Sequence, residues 1–147
     1  MTALLVLLFV RTDCPISNRY APEIQRLYES YARQGIEFRL IYTEHAIAPA
    51  AVARHKSEYG LTLPSEIDAE RAYVQKAKAS VTPEAAVFAG NELLYRGRID
   101  DRYPAVGQAR RQATRHDLED VLRALAAGQK PPPRFSRATG CVIERAP

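Results

Sequence analysis

Hydrophobic and polar positions change their period along the chain, and the changes predict alternating strands and helices. The apolar run at 3–10 is typical of a strand buried on both faces. An apolar stripe at helical spacing predicts a helix over about 17–34. Alternation over 37–43 predicts a second strand, and alanine-rich 48–59 predicts a helix that ends at a glycine. The first stripe consists of Ile24, Leu27, Tyr28 and Tyr31.

The second half of the chain predicts a third helix and a hairpin. Residues 61–68 contain a proline and predict a short edge strand or loop, and 69–79 have a helical composition. Two apolar runs, 84–89 and 92–96, flank Gly90-Asn91, a pair that favours a tight hairpin turn.

The last predicted helix has the clearest pattern in the chain. Thr114 and Asp117 have the spacing of a capping box, and Gly128 ends the helix. Its apolar stripe is Leu118, Val121, Leu122 and Leu125. Residues 98–112 before it predict a polar loop.

The order of these elements predicts an α/β protein with a mixed central β-sheet sandwiched by helices. Successive strand–helix units imply parallel strands, whereas the hairpin adds antiparallel ones. A length of 147 residues fits one domain. We place that domain at 1–128, followed by an extended proline-rich tail at 129–147 that carries Cys141.

Composition excludes several classes of protein. With 46% hydrophobic and 26% charged residues, the chain is neither disordered nor fibrous. No apolar run reaches the roughly 20 residues that span a membrane. The net charge of +4 lies in 98–147, where acidic residues interrupt the basic ones, so we expect a solvated face and no nucleic acid. Two cysteines and three scattered histidines lead us to expect no metal and no cofactor.

Cys14 is the candidate nucleophile. It follows the first predicted strand, and Pro15 after it suits the start of a helix. Backbone N–H groups at a helix start favour a thiolate over a thiol, whereas the neighbouring Asp13 opposes ionisation. An inert, packed cysteine is the plain alternative. Val81-Thr82-Pro83 comes just before the predicted hairpin, and by itself it is a turn.

Taken together, three segments resemble the thioredoxin-like superfamily: 9–17 around Cys14, Thr82-Pro83, and the hairpin segment 87–100. The segment 14–24 and the tail sequence Gly140-Cys141-Val142-Ile143 are particularly similar to bacterial redoxin domains of the alkyl hydroperoxide reductase and thiol-specific antioxidant type. The resemblance implies a thioredoxin-like fold without the N-terminal hairpin usual in redoxins.

For the site, the resemblance implies a redox-active Cys14 that faces a cis-proline at Pro83. Thr82 and Pro83 would hold the backbone of a substrate beside the sulfur, and Ser17 would hydrogen-bond the thiolate. Redoxins of this type are often extracytoplasmic, which favours the periplasm over the cytoplasm for this chain.

Departures from the family patterns indicate which reactions Cys14 performs. Ser17 occupies the second cysteine position of Cys-x-x-Cys. In the peroxiredoxin pattern Pro-x-x-x-Thr-x-x-Cys, Leu7 and Arg11 stand at the proline and the threonine, and Thr12 comes one residue late. Arg98 is a candidate for the arginine that orients peroxide. Asn18 replaces the second cysteine of Sco-type copper chaperones. These differences favour thiol–disulfide exchange over peroxide reduction.

Cys141 has three equally weighted roles. Cys141 resolves a mixed disulfide at Cys14 within the same chain, forms a disulfide between two chains, or is a free or packed cysteine. The last helix is roughly 20 Å long, and the 13 steps from Gly128 to Cys141 span at most roughly 45 Å. The tail therefore has the length to bring Cys141 back to Cys14.

The sequence thus predicts a thiol-based oxidoreductase whose partners are a protein disulfide or a peroxide and an external thiol reductant. The alternative is a non-catalytic thioredoxin-fold binding module, with copper handling as one variant, since a chain that has lost catalytic function is expected to lose Cys-x-x-Cys.

Overall fold

The computed structural model describes residues 3–144. Within them the chain forms eight strands, five α-helices and one turn of 3-10 helix at Ala32–Gln34. The strands are β1 Leu4–Val10, β2 Glu37–Tyr42, β3 Ser65–Ile67, β4 Val81–Thr82, β5 Glu84–Ala89, β6 Glu92–Gly97, β7 Arg134–Phe135 and β8 Cys141–Val142. The helices are α1 Pro15–Arg19, α2 Ala21–Tyr31, α3 Pro49–Tyr59, α4 Ala72–Ala77 and α5 Asp117–Ala126.

The central sheet has six strands in the order β3-β2-β1-β5-β6-β7. Strand β1 pairs parallel with β2 and antiparallel with β5, which continues into the β5–β6 hairpin. The predicted α/β class with a mixed sheet is confirmed. In a second, two-stranded sheet, β4 pairs antiparallel with β8.

Strand β1 lies in the middle of the sheet because both of its faces are apolar. Val6, Leu8 and Val10 belong to one core, which includes residues of α2, α3 and α5. Leu7 and Phe9 point to the other face and pack in a smaller core with residues of α4. Alternate side chains of one strand therefore join two layers of helices.

The predicted helix at 17–34 ends where expected, because the 3-10 turn Ala32–Gln34 follows the second helix and leads to Gly35 in the left-handed conformation, but the helix is not continuous. The structure has two helices, with a break at Tyr20, because Pro22 has no N–H with which to continue the first one. The first helix begins at Pro15, slightly before the apolar stripe suggested and as Pro15 itself indicated, so that Cys14 immediately precedes it.

The predicted capping box at Thr114 and Asp117 is also wrong. Helix α5 begins at Asp117, and His116 precedes it without a side-chain cap. Thr114 instead donates both its hydroxyl and its backbone N–H to the Asp101 carboxylate, which also accepts the N–H of Arg115. Although burial opposes ionisation, these hydrogen bonds hold the pKa of Asp101 well below its usual value.

The tail is extended and lies along the domain. Strand β7 pairs parallel with β6, and Gly97 of β6 is so close that a Cβ there would lie 2.2 Å from Ser136 Oγ. The last three residues of the predicted 129–147 tail lie outside the described residues. No helix within 3–144 is long and apolar enough to cross a membrane.

Candidate functional site

Cys14 lies at the junction between β1 and α1. Its side chain is almost completely buried, with 1% of the residue exposed. Cys14 is the N-cap of α1: its Sγ accepts a hydrogen bond from the Ser17 N–H at 3.4 Å, and its carbonyl accepts one from the Asn18 N–H. The sulfur thus takes the place that a hydroxyl or carboxylate oxygen fills at most helix starts.

The segment Thr82-Pro83 faces this sulfur. The Thr82–Pro83 peptide bond is cis, as the resemblance implied, and both residues are buried. The carbonyl oxygen of Thr82 lies 3.3 Å from Cys14 Sγ. A carbonyl at this distance accepts a hydrogen bond from a Cys14 thiol and disfavours a thiolate, so it opposes the N–H of Ser17.

Cys141 forms a disulfide with Cys14 in the same chain, with a Cα–Cα distance of 6.1 Å. Of the three roles left open for Cys141, this structure contains the pairing that the intrachain resolving role requires. Because β8 pairs with β4, Cys141 lies directly opposite Thr82. The strand register and the disulfide therefore bring Cys14, Thr82 and Cys141 to one point.

The end of the tail is held by contacts on both sides of Cys141. Before it, Gly140 packs so tightly on the backbone that a Cβ would lie 1.9 Å from the carbonyl oxygen of Thr82. After it, the buried Ile143 donates its N–H to Ser80 O at 2.9 Å, and Arg71 Nε donates to Glu144 O at 3.0 Å. The position of Cys141 thus depends on a glycine and on an apolar residue, as well as on the disulfide.

Thr12 supports the loop in front of Cys14 and is not among the groups that contact the sulfur. Its hydroxyl donates to Glu44 Oε2 at 2.6 Å, its N–H donates to Glu44 Oε1, and its carbonyl accepts from Asn18 Nδ2. Asp13, which we expected to oppose ionisation of Cys14, is paired with Arg11 at 3.0 Å. This ion pair offsets part of the effect of Asp13 on the sulfur.

His55 is buried behind this loop, although a histidine in mid-helix is expected to be solvated. Its Nε2 lies 2.7 Å from Asn18 Oδ1 and its Nδ1 lies 2.7 Å from the Tyr42 hydroxyl. Since Asn18 Nδ2 donates to Thr12, Asn18 Oδ1 is the acceptor for His55 Nε2–H, and Tyr42 donates to Nδ1. Burial lowers the pKa of His55 and raises that of Tyr42, which favours the neutral ring and the protonated hydroxyl that this arrangement requires.

Two buried hydroxyls beside the disulfide, Ser17 Oγ and Thr82 Oγ1, have no hydrogen-bond partner among residues 3–144. Buried polar atoms are nearly always paired, so two unpaired hydroxyls on residues that contact Cys14 support a functional role for this site. Both residues were candidates from the sequence. That Ser17 hydrogen-bonds a thiolate stays a prediction.

Arg98, the candidate for orienting a peroxide, pairs with Asp117 of α5 at 2.8 Å. No sequence pattern marks Asn18, His55, Arg71 or Gly140 as site residues, because each acts through a contact with a residue that is distant in sequence. One cluster of potential metal ligands lies at another place, where Glu23, Asp100 and His116 bring ligand atoms within 4.8 Å of one another. Asp100 there already accepts hydrogen bonds from Tyr20 and from a backbone N–H.

Comparisons with known proteins identify the fold. No known protein family and no curated protein matches the sequence. Among solved structures, an uncharacterised conserved protein from Geobacillus kaustophilus superposes with a TM-score of 0.84 at 24% identity, covering 99% of this chain and 79% of that one. A hypothetical protein from Sinorhizobium meliloti 1021 gives 0.81 at 23% identity, covering 97% and 79%.

A secreted disulfide oxidoreductase from Mycobacterium tuberculosis, homologous to Escherichia coli DsbE, superposes with a TM-score of 0.58 at 19% identity, covering 83% of this chain and 81% of that one. At these identities the likeness concerns the fold. The chain has a thioredoxin-like fold, which confirms that part of the prediction.

Proposed function

We propose that this protein is a thiol–disulfide oxidoreductase in which Cys14 is the attacking thiolate and Cys141 the resolving thiol. The observation that carries the proposal is the disulfide between Cys14 and Cys141 next to the cis Thr82–Pro83 bond. Structural neighbours that include disulfide oxidoreductases and thiol:disulfide interchange proteins support this class of reaction.

The reaction consists of two exchanges at sulfur. In the first, the Cys14 thiolate attacks a partner disulfide; a bond forms between Cys14 and one partner sulfur, and the other sulfur leaves as a thiolate that is protonated by water. In the second, the Cys141 thiolate attacks Cys14 Sγ, and the remaining partner sulfur leaves in the same way. The partner gains two electrons, and an external thiol reductant returns the chain to its dithiol form.

Hydrogen-bond donors close to Cys14 favour its thiolate in the reduced chain. The Ser17 N–H already donates to Sγ, and the unpaired hydroxyls of Ser17 and Thr82 are donors within the same buried site. Hydrogen bonds to the charged form favour it and lower the pKa of a thiol. These donors act against the burial of Cys14 and against the Thr82 carbonyl, which both favour the neutral thiol.

Peroxide reduction is the second candidate, because a sulfenic acid on Cys14 that condenses with Cys141 gives the same disulfide. The contacts favour exchange. The Thr12 hydroxyl is engaged by Glu44, and the Arg98 guanidinium by Asp117, so neither is free to orient a peroxide at Cys14.

The test follows the covalent state of the reduced chain by intact mass after mixing with a peptide that contains one disulfide. We expect the wild type to lose two hydrogens and release reduced peptide. The Cys141→Ser variant should accumulate a covalent adduct on Cys14, because the resolving thiol is missing. Val142→Ala, a change of the exposed neighbour of Cys141, is the matched control and should behave as the wild type.

Two results would overturn the proposal. Unchanged peptide reduction by Cys14→Ser would remove Cys14 from the chemistry, and an inert wild type would leave the non-catalytic binding module, with its copper-handling variant, as the better assignment. A parallel sample with one equivalent of hydrogen peroxide separates the two enzymatic candidates: fast formation of the intrachain disulfide there, without reaction with the peptide, supports peroxide reduction.

A further inference from the structure

The tail covers the nucleophile of the proposed reaction. With the tail seated, only 1% of Cys14 is exposed, and the disulfide to Cys141 occupies its sulfur. A partner protein must approach along the same face to place its own sulfur against Cys14. The tail and a partner therefore compete for one position.

That position is the edge of β4. Within residues 3–144, β4 pairs with β8 alone, and Thr82 of β4 carries the carbonyl that lies 3.3 Å from Cys14 Sγ. An open strand edge is a template for an extended peptide, which adds to it through backbone hydrogen bonds. In this structure the chain's own residues 140–144 are that peptide.

We propose that residues 140–144 are an internal substitute for the cysteine segment of the partner, and that they displace the partner from β4 as the Cys14–Cys141 disulfide forms. This inference rests on the proposed function. When the partner is bound as a mixed disulfide, its strand lies on β4 and β8 is detached. The Cys141 thiolate reaches Cys14 Sγ only as β8 replaces that strand, so the step that breaks the Cys14–partner bond also removes the partner's backbone contacts.

The contacts of residues 140–144 with β4 also predict which cysteine-containing segments of a partner fit at this strand edge. The position before the cysteine must be glycine, because a Cβ at Gly140 would lie 1.9 Å from the oxygen and 2.6 Å from the carbon of the Thr82 carbonyl, both backbone atoms. Two positions after the cysteine, Ile143 is 8% exposed, which requires an apolar residue. Val142 between them is 73% exposed and leaves that position open. The preferred partner segment is therefore glycine, cysteine, any residue, then an apolar residue.

The first experiment measures peptide selection by full-length Cys141→Ser. The probes are a peptide with the sequence of residues 137–144, its cysteine joined to 5-thio-2-nitrobenzoate, and the same peptide with Gly140→Ala or with Ile143→Ser. Attack by Cys14 releases the coloured thiolate. We expect each altered peptide to react roughly tenfold more slowly, which corresponds to about 1.4 kcal/mol of lost contact.

The second experiment unseats the chain's own tail. Adding Gly140→Ala to the Cys141→Ser chain should make Cys14 react roughly tenfold faster with the unaltered peptide, because the competing strand no longer fits on β4. Adding Val142→Ala instead is the matched control and should leave the rate unchanged. Thermal unfolding of each variant shows that the sheet is intact.

A small non-peptide disulfide, 5,5′-dithiobis(2-nitrobenzoate), separates the possible failures. If Cys14 of Cys141→Ser does not react with it, the proposed function fails. If Cys14 reacts with it but does not distinguish the three peptides, or if Gly140→Ala slows the reaction or leaves it unchanged, strand displacement is wrong and the proposed function stands.

Discussion

The second thiol of this site comes from the tail, whereas Ser17 fills the position where Cys-x-x-Cys has its second cysteine. Ser17 still donates its backbone N–H to Cys14 Sγ, so the local geometry of the helix start is kept without a second sulfur. Cys141 is 127 residues away in sequence and reaches Cys14 through the β4–β8 pairing. The disulfide of Cys14 therefore depends on the placement of a segment that is distant in sequence.

His55 holds the loop before Cys14 from behind, and its protonation should weaken that support. The neutral ring accepts from Tyr42 and donates to Asn18. Burial lowers the pKa of His55 in the folded chain below its ordinary value of 6.5. The unfolded chain therefore binds a proton first as the pH falls, so this contribution to stability is complete above pH 6.5 and is lost below it.

We expect His55→Gln to reduce the free energy of unfolding by about 1–3 kcal/mol at pH 7.5, with a smaller difference from the wild type at pH 5.5. Urea unfolding at the two pH values measures this. The lowered pKa values of Glu66 and Glu119 affect stability only in more acidic solution. His116→Gln, at an exposed histidine, is the control. A difference that does not change with pH would contradict the assignment of a neutral ring.

At the scale of elements, sequence patterns predicted those parts whose contacts are local or periodic. The apolar run of β1, the stripe of α5 and the Gly90-Asn91 turn all describe what the structure contains. The errors were the break between α1 and α2, which Pro22 causes, and the start of α5, where one side chain has two possible hydrogen-bond partners. Thr114, for example, bonds to Asp101 and not to the helix that follows.

The position of residues 140–144 on β4 could not be predicted, because each contact that holds them joins residues far apart in sequence. Arg71 binds Glu144 O, Ser80 O binds the N–H of Ile143, and Thr82 lies opposite Cys141. The length of the tail showed only that Cys141 is able to reach Cys14. The buried His55 was missed for the same reason, since its partners come from β2 and α1.

Reduction of the disulfide should loosen β8 and leave the central sheet unchanged. Strand β8 has two residues, and without the disulfide it is held by its pairing with β4 and by the contacts of Gly140, Ile143 and Glu144. We expect hydrogen exchange of the Ile143 amide to become at least roughly tenfold faster in reduced protein. The reason is that β8 can detach locally from β4 once the disulfide no longer restrains it. Amides of β1 are the internal control, and equal exchange at Ile143 in both states would contradict a movable tail.

Considered as a whole, the molecule keeps the tail close even when β8 is free. Arg134 of β7 binds Asp117 of α5 at 3.3 Å, and the same carboxylate binds Arg98. The basic excess of 98–147 is therefore partly used inside the fold, which limits the surface it offers to nucleic acid. Because β7 ends only a few residues before Cys141, we expect the effective concentration of the Cys141 thiol at Cys14 to stay high in the reduced protein.

The disulfide should also make a large contribution to global stability, because it closes a loop with a sequence separation of 127 residues. By the chain-entropy relation a loop of this size stabilises the folded state by about 5 kcal/mol. We expect urea unfolding of the wild type with and without dithiothreitol to differ by about this amount. The double variant Cys14→Ser/Cys141→Ser, which has no disulfide, should unfold identically in both conditions. A much smaller effect in the wild type would mean that the reduced, unfolded chain already keeps the tail near Cys14, so that the covalent bond removes little freedom.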